Sequence, residues 1–144
     1  MKTYTGSMAF FQGIEGFVPG DIDWLIIRDD TFNYGMKVPK HSRIGKVSVY
    51  EFWYMSAEEF INYFLEHPNP SMKVIMFLIP DVIEYIGLTI DMLPRLKPLI
   101  DSLDKKHKYI ETIYNSYIEN GSFTLTNEQL MEAYNIYLSA RFKN

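Results

Sequence analysis

The run Val47-Ser48-Val49-Tyr50-Glu51-Phe52-Trp53-Tyr54-Met55 leaves this chain little choice of fold. β-Branched and aromatic residues fill both alternating sets of positions, and a strand that is apolar on both faces belongs inside a sheet. The run therefore predicts a central strand, for which the rest of the chain must supply neighbours. Within it Glu51 is the one acidic side chain. A carboxylate among aromatics is costly unless a cation pairs with it or it binds a metal.

Two stretches upstream supply such neighbours. Lys2 to Thr5 forms a short first strand that ends at Gly6-Ser7, where glycine lets a backbone approach a ligand closely. Met8 to Gln12 reads as the first turns of a helix whose free amides face whatever sits on Ser7. A loop punctuated by Gly13, Gly16, Pro19 and Gly20 leads to a second strand, Asp21 to about Arg28, closed by Asp29-Asp30. In an extended strand Asp21 and Asp23 share one face, while Ile22 and Trp24 take the other. Two carboxylates side by side repel, and protonation or a divalent cation such as Mg2+ relieves the repulsion. From Thr31 to Lys46 the chain is polar and irregular, broken by Asn33, Gly35, Pro39 and Gly45.

Beyond the central strand the pattern turns helical. Ser56 and Glu59 form a capping box, and Phe60, Ile61, Phe64 and Leu65 recur at helical spacing, which predicts a helix to about Glu66. His67 to Ser71 ends it. Val74 to Ile79 fits either a strand or a buried helix by periodicity; a Ser71 cap and a Pro80 stop favour helix. A short helix near Asp81 to Ile86 follows, then one from about Leu93 to Tyr117 and a last from Asn127 to Arg141. Thr126 with Gln129 forms a second capping box, and Asn120-Gly121 a helix stop. Tyr109, Ile113, Tyr114, Tyr117 and Ile118 are spaced as a packing stripe. Strands first and helices after predict an α+β fold. At 144 residues, without repeat or linker, the chain reads as a single domain, with a sheet-forming core over about 1–87 and a helical extension over about 88–144.

The absence of cysteine excludes disulfides, thiolate nucleophiles and cysteine zinc sites. No stretch has the apolar length of a membrane span and the start lacks a secretory pattern, so a soluble cytoplasmic protein is expected. A formal net charge of −4 gives no bulk attraction to nucleic acid. Arg28, Lys37, Lys40, Arg43 and Lys46 nevertheless cluster between the acidic strands, either to steer phosphates or as solvated loop charges. His41, His67 and His107 are scattered without metal-ligand spacing, which suits surface or turn roles.

Thr5-Gly6-Ser7, a thirteen-residue spacer (8–20) and Asp21-Ile22-Asp23-Trp24 resemble the signature of the polymerase-beta-like nucleotidyltransferase superfamily. Glu51-Phe52-Trp53-Tyr54, Phe60, and Asn69-Pro70 followed by Met76-Phe77-Leu78 are similar in order and spacing to a bacterial and phage branch of it. The resemblance spans about Thr3 to Ile86.

It implies that Gly6 and Ser7 hold the β- and γ-phosphates of a nucleoside triphosphate. Asp21 and Asp23 would bind two Mg2+ ions, and Glu51 would complete the metal that activates the attacking hydroxyl. The implied activity is Mg2+-dependent transfer of a nucleoside monophosphate to an acceptor, whether protein, RNA or small molecule, with Asp21, Asp23 and Glu51 catalytic. A second reading, of another class, is a nucleotidyltransferase-like module without catalysis that binds or regulates a protein partner through its C-terminal helices. A third is a phosphohydrolase using the same carboxylates.

Overall fold

Four strands form a mixed sheet in the order β1-β2-β4-β3: β1 is Lys2–Thr5, β2 Ile22–Arg28, β3 Lys40–Ile44 and β4 Val47–Trp53. The computed structural model describes residues 1–28, 40–66 and 78–142. β4 lies inside the sheet, as its two apolar faces require. It pairs in parallel with β2 and antiparallel with β3, while β1 pairs antiparallel with β2. β3 falls in the stretch expected to be irregular. Gly45 lets it turn directly into β4: with φ +62 there and no positive φ at Lys46, the two-residue loop has the pattern of a type II′ hairpin turn.

The chain divides into two compact units, Met1–Ser56 and Ala57–Asn144. The first holds the sheet and a short helix, α1 (Ser7–Phe11). Registers of Thr5 with Asp23, Asp23 with Ser48 and Leu25 with Tyr50 divide its side chains between two faces. One face carries Thr5, Asp23, Leu25, Ile27, Ser48, Tyr50 and Phe52; all of these but Asp23 and Tyr50 are buried. The other carries Tyr4, Ile22, Trp24, Ile26, Val49, Glu51 and Trp53, all half-buried. There the rings of Tyr4 and Trp24, paired in register, stack at 4.1 Å.

The second unit is helical. Its first helix, α2 (Ala57–Glu66), begins just after Ser56 and buries Ala57, Phe60, Ile61 and Phe64, while Leu65 of the predicted stripe is only half-buried. Pro80 opens α3 (Pro80–Ile86) instead of ending a helix, since its missing N–H is no loss in a first turn. The continuous helix expected over 93–117 is broken. A 3₁₀ segment spans Ile90–Leu96, α4 spans Lys97–Asp101, a second 3₁₀ turn spans Lys105–His107, and α5 spans Tyr109–Asn120. Pro94 and Pro98 remove helix donors, and Asp104 starts a new turn by accepting from the His107 amide.

α5 buries Tyr109, Ile113, Tyr114 and Tyr117 as its stripe predicts, whereas Ile118 stays exposed. The buried hydroxyls of Tyr114 and Tyr117 donate to the carbonyls of Leu93 and Leu78, at 2.7 and 3.2 Å. Gly121 ends α5 in the left-handed conformation (φ +65). α6 (Asn127–Phe142) opens on the predicted box: the Gln129 amide donates to Thr126 Oγ1 at 3.1 Å, and the Thr126 amide to Gln129 Oε1 at 2.9 Å. Among the described residues no helix is long and apolar enough to cross a membrane. The expectations for Thr31 to Pro39, for the turn at His67 to Ser71 and for a helix at Val74 to Phe77 lie outside the described residues.

Candidate functional site

Pairing of β1 with β2 carries the end of the first strand to the start of the second, so two distant pieces of sequence meet. Thr5 lies opposite Asp23, and Gly6 follows at φ +68 and ψ −150, a conformation open in practice only to glycine. Its backbone approaches the carboxylate so closely that an added Cβ would stand 3.0 Å from Asp23 Oδ2. Thr5 is 1% exposed, and among the described residues its Oγ1 has no hydrogen-bond partner. Burying an unsatisfied hydroxyl costs about 1–3 kcal/mol, and Trp53 Nε1 on the other face of the sheet is unsatisfied in the same way. Ser7 is half-buried at the first position of α1.

Asp21 lies just before β2 on the same alternation as Asp23. Arg43 of β3 grips it with both terminal nitrogens: Nη2 donates to Oδ1 at 2.8 Å and Nη1 to Oδ2 at 3.4 Å. Arg43 Nε is tied to the Gly45 carbonyl at 2.9 Å. This ion pair is about half exposed on both sides, so water screens it and its worth is orientation more than stability.

The face is completed by β4. Ser48, 1% exposed, lies opposite Asp23, and Tyr50 lies two positions further on. Burial raises the Tyr50 hydroxyl above its ordinary pKa, and the negative charges of Asp23 and then Asp21 raise it further. Arg43 and a hydrogen bond from Ser48 oppose that rise. Tyr50 therefore shares its electrostatic surroundings with both aspartates and stays a neutral donor at physiological pH.

Glu51 does not join them. Its register partner is Ile26, which puts it on the opposite face of the sheet from Asp23. There Arg28 Nη1 donates to Glu51 Oε1 at 3.4 Å, with the same guanidinium 5.2 Å from the Trp53 ring centroid. The carboxylate among aromatics is thus partnered by a cation, and the expected triad of Asp21, Asp23 and Glu51 is corrected to a pair. With Asp23 paired to Ser48, a strand's period of two puts Glu51 on the other face.

Among the described residues no three His, Cys, Asp or Glu side chains gather as metal ligands. Two carboxylates suit one Mg2+, which commonly takes one or two protein carboxylates and fills its remaining positions with phosphate oxygens and water. The donor set of Asp21 and Asp23 fits such an ion. Of the basic cluster, Arg43 faces the aspartates and Arg28 faces away; Lys37 lies outside the described residues. His107 serves the Asp104 turn, as a turn role predicts. No local signal in the sequence brings Thr5, Arg43, Ser48 and Tyr50 together. Alternation within Val47–Trp53 groups Ser48 with Tyr50 and sets Glu51 apart, but only the register against β2 says which set faces Asp23.

No protein-family model, curated protein or solved structure matches the chain.

Proposed function

We propose that the sheet unit is a nucleotidyltransferase-like module that binds a nucleoside triphosphate with one Mg2+ at Gly6, Ser7, Asp21 and Asp23. The approach of the Gly6 backbone to the Asp23 carboxylate carries the reading, because it joins the phosphate-loop and metal-ligand halves of the motif at one corner. When bound, the ion would neutralise both carboxylates and the phosphates they face. Arg43 would then exchange part of its hold on Asp21 for phosphate oxygens, which match its planar fork equally well.

Binding without turnover fits this arrangement better than transfer. A nucleotidyl transfer needs a base for the acceptor hydroxyl, and Ser48 and Tyr50 stand on β4 where the third carboxylate was expected. Neutral Tyr50 would donate to a phosphate or sugar oxygen. Transfer is the second reading, for which Asp21 and Asp23 would supply the metal ligands.

Isothermal titration with a nonhydrolysable ATP analogue tests the proposal. Binding is expected only with Mg2+; it should be lost in the Asp21→Asn, Asp23→Asn double variant and unchanged in Glu51→Gln. Absence of binding by any common nucleoside triphosphate sinks the proposal. Pyrophosphate release with label passing to an acceptor would replace it with the transferase reading.

A further inference from the structure

The outer side of α6 carries a pattern that its packing onto α5 leaves unused. Ala133 and Tyr137 of α6 are buried, and Tyr137 meets Tyr109 of α5 edge to face at 5.4 Å. The other side lines an open groove of about 600 Å³. Met131, Asn135, Ile136 and Ala140 form its floor, and Met131 is 41% exposed. Its charges are separated lengthwise. Glu128 and Glu132 belong to the N-terminal half of the helix. Lys105 and Lys108 lie beside the C-terminal half, where Arg141 of α6 donates to the Lys106 carbonyl at 2.8 Å. Among the described residues none of these four rim charges is held in an ion pair.

A surface negative at one end, positive at the other and apolar between is complementary to itself under a two-fold rotation. We infer that this groove is occupied by a second copy of the chain, with the two α6 helices antiparallel and crossing near Asn135. Each Glu128 and Glu132 then faces the Lys105 and Lys108 of the partner subunit. Met131 and Ile136 of the two copies cover one another in the middle, and the two Asn135 amides, each both donor and acceptor, meet on the axis. An acidic peptide would satisfy only the lysine end and a basic one only the glutamate end. A second copy satisfies both. The inference is independent of the nucleotide site.

Sedimentation equilibrium of the full chain tests it by charge exchange. Wild type is expected to show a monomer–dimer equilibrium that weakens as salt shortens the reach of the rim charges. Glu128→Lys with Glu132→Lys, or Lys105→Glu with Lys108→Glu, should each weaken the dimer at least about tenfold, since like charges then meet at both ends. All four substitutions together should restore it. Glu128, Glu132 and Lys105 are exposed and Lys108 is half-buried, and unchanged circular dichroism verifies that each variant folds. A wild-type chain that stays monomeric at every attainable concentration overturns the inference. So does a dimer indifferent to either reversal, or one that the fourfold exchange fails to restore.

Discussion

Replacing Gly6 by alanine separates two costs that the structure assigns to one position. The first is conformational: φ +68 with ψ −150 is a region that side-chain-bearing residues occupy at about 1–3 kcal/mol. The second is contact: the new methyl would lie 3.0 Å from Asp23 Oδ2, inside the roughly 3.3–3.6 Å of ordinary carbon–oxygen contacts, so the carboxylate must shift. Together they predict a loss of about 2–4 kcal/mol. Gly45→Ala is the internal control, because its φ of +62 imposes conformational strain while an added Cβ meets nothing within 4 Å. It should cost about 1–3 kcal/mol, without the added contact. Trp24 and Trp53, the two tryptophans of the chain, both belong to the sheet unit, so urea unfolding followed by their fluorescence reports on that unit. In an Asp23→Ala background the contact vanishes and the strain remains. Gly6→Ala should then cost about 1 kcal/mol less than in wild type. Equal cost in both backgrounds would refute the close approach on which the site rests.

Two further predictions concern the helical unit. Tyr117→Phe removes a buried donor to the Leu78 carbonyl and should lower stability by about 1 kcal/mol at neutral pH. Burial raises the Tyr117 pKa, so the folded state keeps this proton to higher pH than the unfolded chain. The resulting stability is present below the ordinary tyrosine pKa of about 10 and is lost as pH rises towards the folded value. Urea midpoints measured upward from neutral pH should therefore fall above about pH 10 in wild type, and less steeply in Tyr117→Phe. Tyr50 and Tyr114 shift in the same direction and leave a residual slope. A variant whose midpoints run parallel to wild type would contradict the assignment. Thr126→Ala breaks the reciprocal capping of α6 and should cost about 1 kcal/mol, with faster hydrogen exchange at the Gln129 amide. Unchanged exchange there would contradict the cap.

Local signals in the sequence were sufficient wherever the deciding physics is local. The β-branched and aromatic run placed β4 inside a sheet. The Thr126–Gln129 box and Gly121 set helix ends, and periodicity identified the buried side of α2. The strand-then-helix order gave the α+β class, and Asp21 with Asp23 could be assigned to one face because neighbouring positions on a single strand fix each other. Within 93–117 two prolines and a competing Asp104 cap outweighed a helical apolar pattern, and those signals are visible in the sequence once weighed against periodicity.

What sequence alone could not decide was the register between strands. Alternation says that Glu51 and Tyr50 point opposite ways, but only the pairing of Asp23 with Ser48 makes Tyr50 the neighbour of the aspartates and turns Glu51 towards Arg28. β3, which brings Arg43 onto Asp21, is likewise held by its ladder with β4, not by any strong propensity of its own. Chemistry-bearing residue types and their local faces are properties of one segment. Which of them meet is a property of two segments paired, and one residue of slip would exchange every partner.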